Sequence, residues 1–545
     1  MSILPSIRRF VRRWLCLPAA ALVLPGSATA GMWDPLPMTV HEWGVNTFDW
    51  DLGDRLHQEL PGFLYTDQKP GKLIAKPEER VRDLPADSGI RTKPILYFYL
   101  PEKFQFEKPA QVGVEMRFAY GYANAWWPQV NVYRDAKTSQ AAAPPDWKTW
   151  KEKLLKQAEK AIKGTGENPE AVERWKQSLK VYQSLDEQSQ IAWLANQMRW
   201  FGESDFPEDG RMQLVWERLT LHHSLPEGQS LPGEDLPDDH WVKLAREVDA
   251  AYVRHGDEAE RYVFYEGKTS ERPAIAVLPR GNGPNWMRPQ QEAARKDLAL
   301  VNIGAHPIFD VTAIYRDSEK GILWVGSIPM LPALADVRSH VDQDMALRIP
   351  DFSKPLADDN FAVGAEEFTR RTSDRLIENL TSGYHYDPGR VTMRDPADPQ
   401  GPTRMHQLFK KEAVSLEKIW RDDFYQNEGL TVIYRESPAY LDEAMPLNIY
   451  TSMFWYVKLS RCGLVLNRNI PIAQVHDIDE ALRYYESAHY NETSKEELAK
   501  LEARLKQNRF LTLGMAQFRY GRKDATGWRG DLSPVLKKVE GLFDD

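Results

Sequence analysis

The chain has 545 residues, with 70 Lys and Arg against 79 Asp and Glu, a formal net charge of −9. That balance argues against nucleic acid or an anionic membrane surface as partner, because both need clustered basic side chains. At 42% hydrophobic and 11% aromatic the chain can bury a large core, and its two cysteines, Cys16 and Cys462, exclude a scaffold stapled by several disulfides.

Residues 1–30 have the order of an export signal. Arg8, Arg9, Arg12 and Arg13 precede an apolar run from Trp14 to Leu24, Pro25 and Gly26 break it, and Ala28-Thr29-Ala30 supplies the small side chains of a cleavage site. Cleavage before Gly31 is expected, leaving 66 Lys and Arg against 79 Asp and Glu and a net charge of −13. Cys462 would then be the sole cysteine. The run is too short for a permanent anchor, and no later stretch reaches ~18 consecutive apolar residues, so no transmembrane anchor is expected in the mature chain. The expected location is periplasmic or extracellular.

A β-rich region is expected over 31–140. Ile95-Leu96-Tyr97-Phe98-Tyr99-Leu100, closed by Pro94 and Pro101, suits a buried strand, and Val112, Val114, Met116, Phe118 and Tyr120 alternate so as to share one sheet face. A helical insertion follows over 141–260. Its apolar stripes are Trp147, Trp150, Leu154, Ala158 and Ala161, then Val172, Trp175, Leu179 and Tyr182, then Ile191, Leu194, Met198 and Phe201. Strand character returns over 261–345, where Asp317-Ser318-Glu319-Lys320-Gly321 reads as a hairpin turn into Ile322-Leu323-Trp324-Val325. A helical region is expected over 346–425, with Met405, Phe409, Ala413, Leu416 and Trp420 on one helix face and a loop at 386–403. The region 426–545 mixes both types. Strands are expected at Leu430 to Tyr434 and Phe454 to Leu459, and a helix from Asp477 to Tyr490. A capping box at Ser494 and Glu497 opens a helix expected to reach Asn508. Grouped helices and strands give an α+β class, with a predominantly antiparallel sheet framework and grouped helical insertions.

The chain lacks a nucleophile elbow, a Walker A loop and a dinucleotide fingerprint. His41-Glu42 opens like a zincin motif, but Val45 stands where its second histidine belongs. The densest polar and aromatic group is Val40-His41-Glu42-Trp43-Gly44. Two readings of it stand. In one, His41 is a base or metal ligand and Glu42 a general base. In the other, His41 and Glu42 point to opposite faces of a first strand and Trp43 packs in the core. His340, Asp342 and Asp344 alternate as candidate ligands of a divalent metal, while the acids of His476-Asp477-Ile478-Asp479-Glu480 suit a helix start on dipole grounds alone. Trp126-Trp127 could stack on sugar rings as the platform of a glycan-binding protein.

Val40-His41-Glu42-Trp43-Gly44 resembles the opening of an uncharacterised family of exported bacterial proteins with an N-terminal His-Glu-Trp-Gly-Thr-Phe-Thr motif. Further stretches resemble that family: Lys93 to Tyr99, Trp126-Trp127-Pro128-Gln129, Phe264-Tyr265-Glu266-Gly267, Ile419 to Phe424 with Gly429 to Arg435, and Asn508-Arg509-Phe510. The chain departs from the pattern at Val45-Asn46-Thr47-Phe48 and at Ala125, where the family carries an acid. The resemblance implies export and a shared fold and carries no activity with it. Three functions are therefore expected candidates: a metal-assisted hydrolase using His41, Glu42, His340 and Asp342; a carbohydrate- or envelope-binding protein using Trp126 and Trp127; and a structural envelope component.

Overall fold

The computed structural model describes residues 36–51, 60–66, 89–101, 109–118, 121–134, 212–269, 271–279, 297–336, 346–353, 365–381, 391–393, 404–406, 408–451, 455–521 and 533–543. It also describes Glu152, Lys156, Lys176, Lys180 and Gln183, which are helical and exposed. The expected export signal, most of the helical block at 146–201, and both His340 and Asp342 lie outside these residues.

A nine-stranded sheet organises the molecule. Four of its strands matter for function: β1 (Leu36–Asp49), β2 (Gly89–Tyr99), β3 (Gly429–Arg435) and β4 (Trp455–Ile470). Their order is β3, β4, β1, β2. Beyond β3 lies the hairpin of Ile308–Asp317 and Ile322–Leu331, and beyond β2 lie Val263–Thr269, Gly121–Trp127 and Tyr65–Thr66. The expected antiparallel framework holds at every junction of this sheet but one. β1 runs parallel to β4, His41 opposite Ser460 and Glu42 opposite Arg461, so segments 419 residues apart in sequence meet at the centre. The sheet thus joins strands from the β-rich regions expected at 31–140 and 261–345 and from the region 426–545.

Both faces of this sheet are covered, which is why β1 is buried on both sides rather than alternating. On one face Trp43, Val45, Ile95, Tyr97, Leu464 and Leu466 pack against helices, chiefly α1 (Lys410–Tyr425) through Ala413, Leu416, Trp420 and Phe424. On the other, Met38, Val40, Leu96 and Phe98 pack with Val112, Val114, Met116 and Phe118 of a second, antiparallel sheet. A third core joins Phe48, Val432, Tyr434 and Val465 to the small sheet of Ile275–Pro279, Leu298–Asn302 and Leu347–Ile349, and to the C-terminal helices.

Several local expectations hold. Asp317 pairs with Ile322 across the expected hairpin, and Gly321 takes the positive φ of +64° that the turn requires. Ser494 Oγ accepts from the Glu497 backbone N–H at 3.2 Å, as the capping box demands. Three expectations differ. The part of the expected helical insertion at 212–260 forms strands of the second sheet, Met212–His222, Tyr252–His255 and Glu258–Glu260, around one short helix, Trp241–Ala245. Met405 lies in a short strand, Arg404–His406, and the helix expected to include it begins at Lys410, where the Glu412 side chain accepts from the Phe409 N–H. The helix opened by Ser494 ends at Leu505. Asn508 instead caps a new helix (Arg509–Tyr520), its Oδ1 accepting from Leu511 N–H at 3.0 Å.

Candidate functional site

The alternation of β1 separates the two polar residues of the His-Glu-Trp-Gly group. His41 faces α1, where its Nδ1 lies 2.6 Å from Glu412 Oε2 and its ring packs 4.5 Å, centroid to centroid, from Phe409. Both partners of this pair are fully buried. Glu42 faces the opposite way and is held by Arg461, whose Nη2 donates to Oε1 at 3.1 Å, and by the Tyr265 hydroxyl. Beside Glu42 lies a pocket of about 10 Å³, shared with Arg91, Cys462 and Gly463. That is room for one water and no substrate. His41 and Glu42 therefore do not converge on a cleft, contrary to the expectation of a joint catalytic pair: a strand of period two turns consecutive side chains apart.

The glycan platform expected at Trp126-Trp127 does not form either. Trp126 is 0% exposed and stacks on Tyr133, and Trp127 is 7% exposed and stacks on Tyr65, with ring centroids 5.1 and 5.5 Å apart. Neither ring offers an open face to a sugar, because both sides of the strand carrying them are packed. His340 and Asp342 fall outside the described residues, and among the described residues no group of three His, Cys, Asp or Glu is placed to hold a metal. The acids at 477–480 serve ion pairs: Asp477 and Glu480 with Arg504, and Asp479 with Arg483 and Arg519.

Glu42 instead marks the edge of a buried polar network. Arg461 also donates to Asp442 at 2.9 Å. Next to it, Arg91 from β2 is clasped by two carboxylates. Its Nε and Nη2 donate to Glu271 at 2.7–3.0 Å, and its Nη1 and Nη2 donate to Glu436 at 2.7 and 3.0 Å. Glu436 follows directly on β3 and lies over β4 at Gly463, where a Cβ would come within 2.6 Å of Glu436 Oε2. Glycine at that position is what admits the carboxyl group.

The two glutamates on Arg91 are not equivalent. Glu271 also accepts from Thr269 Oγ1 at 2.8 Å, the Tyr440 hydroxyl at 2.8 Å and Asn46 Nδ2 at 3.2 Å. Burial raises its pKa, but Arg91 and these donors outweigh burial and hold it below the usual carboxylate value. Glu436 receives side-chain hydrogen bonds from Arg91 alone among the described residues. Burial, with the adjacent Glu271 charge, overrides Arg91, and its pKa is pushed up to about 7. Four carboxylates share two guanidiniums here, so one retained proton relieves the excess negative charge.

Glu436 opens onto a cavity of about 240 Å³. Its walls come from β1 (Asn46, Phe48), from Tyr434, from the helix α2 (Pro438–Ala444, including Tyr440), and from Phe510 and Leu513 of the C-terminal helix. His306 stands at the rim, 3.1 Å from Glu443. Arg272 and Glu540, 3.4 Å apart, pair across another part of the lining. Asn46 is 2% exposed. Its Nδ2 is committed to the ionised Glu271, which needs a donor, and this fixes the amide orientation. Its Oδ1 has no partner among the described residues. A buried, unpaired amide oxygen on a cavity wall is costly unless something donates to it.

Of this site, the sequence alone points only to Glu42 and the core rings. Arg91, Glu271, Glu436 and Arg461 join through contacts 180, 345 and 419 residues apart. One signal was available: Arg461 is followed directly by the apolar stretch Cys462-Gly463-Leu464-Val465-Leu466, and a charge in the middle of a central strand needs a buried partner. No family model, curated protein or solved structure matches the chain.

Proposed function

We propose that the chain is an exported acid–base enzyme acting on a small ligand in the cleft above Glu436. Export rests on the arginine, apolar and small-residue order of residues 1–30. Among the described residues, no helix is long and apolar enough to cross a membrane. The observation that carries the catalytic reading is geometric: a buried carboxyl group on the wall of a ligand-sized cavity that also holds an amide oxygen awaiting a donor, with burial raising the pKa of that carboxyl group to about 7. A group titrating near the working pH can both give and take a proton, whereas an ordinary glutamate is almost wholly ionised there.

Glu436 would transfer the proton, Asn46 Oδ1 would orient the ligand by accepting from it, and Tyr434, Phe48 and Phe510 would hold its apolar body. Arg91 and Glu271 position and tune Glu436 without touching the ligand. A metal-assisted hydrolase built on His41 and Glu42 is less well supported, because those two side chains face apart. A purely binding function would use the same cavity without the proton transfer.

The test is a thermal-shift screen of small metabolites against the full chain and Ala305→Trp, which places a large ring at the exposed cavity rim. Ligands that stabilise the parent but not the variant support the cleft as the site. Ligands that stabilise both equally place the site elsewhere.

A further inference from the structure

We infer that the cleft recognises a small organic cation, an ammonium group carried on an apolar body. This deepens the proposed function, and rests on its reading that the cleft is the site.

Asn46 Oδ1 can only accept, and it is buried and unpartnered among the described residues. Glu436, once ionised, accepts as well. The Tyr440 hydroxyl spends its proton on Glu271 and presents lone pairs to any other group. The inner wall therefore asks for a ligand rich in donors.

Charge points the same way. The groups facing Glu436 are Arg91 from β2, Glu271 from the segment after Val263–Thr269, Arg461 from β4, Tyr434 on its own strand and Tyr440 on α2. Arg461 is itself matched by Glu42 and Asp442. Two guanidiniums face four carboxylates, so ionising Glu436 leaves the network at minus two, and a bound cation would offset that excess. The basic side chains of the lining already have acidic partners: Arg272 with Glu540, and His306 with Glu443. The walls of Phe48, Tyr434 and Phe510 suit an apolar body, and aromatic faces attract a cation electrostatically. A cavity of about 240 Å³ exceeds the roughly 150 Å³ that admits a benzene ring, so a one-ring amine fits.

Calorimetric titration of the full chain with benzylamine and with benzyl alcohol, its uncharged analogue of the same shape, tests this. Benzylamine should bind at least tenfold more tightly than benzyl alcohol at pH 8. Its affinity should fall at least tenfold between pH 8 and pH 5.5, as Glu436 takes up a proton. This pH dependence needs no variant. In Glu436→Gln it should vanish, with affinity at pH 8 reduced about tenfold. Equal binding of the two probes, or benzylamine binding that ignores pH, overturns the cationic ligand class. If that binding is still blocked by Ala305→Trp, the cleft remains the site and only the ligand class fails. Absence of benzylamine binding overturns the inference outright, and the metabolite screen with Ala305→Trp then decides the cleft reading separately.

Discussion

The two faces of β1 spend their polar residues differently. On the face toward α1, His41 pairs with Glu412 beside the rings of Phe409 and Tyr99, and the cavity above Glu436 does not reach it. On the opposite face, Glu42 and Asn46 belong to a network of carboxylates, guanidiniums and hydroxyls that ends at an open cavity. Consecutive residues of one short motif thus serve architecture on one side and, in our proposal, chemistry on the other. Polar residues close in sequence are poor guides to a joint site when the backbone is extended. The informative quantity is what each face packs against.

The contrast can be broken at its heaviest point first. Arg91→Ala should leave Glu271 and Glu436 buried without their shared cation and cost on the order of 3–5 kcal/mol, read by urea unfolding at pH 7. A loss under about 1 kcal/mol would mean that the network is not the stability-critical side of the strand.

Next is the pH dependence of Glu436. Its pKa is raised in the folded chain to about 7 from an ordinary value of 4.5. The folded state therefore holds a proton that the unfolded state has already released. Stability is unaffected below pH 4.5, declines as pH rises from 4.5 to 7, and is level above that. The loss is on the order of 3 kcal/mol across that window, and Glu436→Gln should remove it. Unfolding of parent and variant at pH 5 and pH 7.5 measures the difference. Glu271, whose pKa is lowered, contributes with the opposite sign, losing stability only as pH falls below 4.5.

His41→Ala should cost less, about 1–3 kcal/mol, because Glu412 keeps its bond from the Phe409 N–H. It should leave benzylamine affinity unchanged. A variant with normal stability and lost binding would transfer the chemistry to the α1 face. Smallest of all, Ser494→Ala removes a helix cap remote from both faces and should cost about 1 kcal/mol by thermal unfolding, with binding intact.

Much of the scaffold is legible in the sequence because it depends on local rules. Period-two alternation places His41 and Glu42 apart, the Asp317–Gly321 turn marks a hairpin, and Ser494 with Glu497 marks a helix start. What cannot be read is what distance along the chain hides. The parallel pairing of β1 with β4 joins residues 419 positions apart, and no local periodicity encodes it. Trp126 and Trp127 suggest ligand stacking because a paired aromatic looks alike in a core and on a platform. Only the second covering layer, including Tyr133 and Tyr65, distinguishes the two. The cavity escapes for the same reason: Asn46, Glu436 and Phe510 are ordinary residues singly and become a site only when three distant segments close around one space.

The most direct measurement of the central claim is the titration of the Glu436 carboxyl group itself. Carbon-13 labelling of glutamate side chains, with the Glu436 resonance assigned by its absence in Glu436→Gln, follows that group from pH 4 to pH 9. The account predicts a midpoint near 7, moving lower when benzylamine is bound. A midpoint below 5 in the free protein would contradict it, leaving the network a structural device and the cleft without its proton-transfer group.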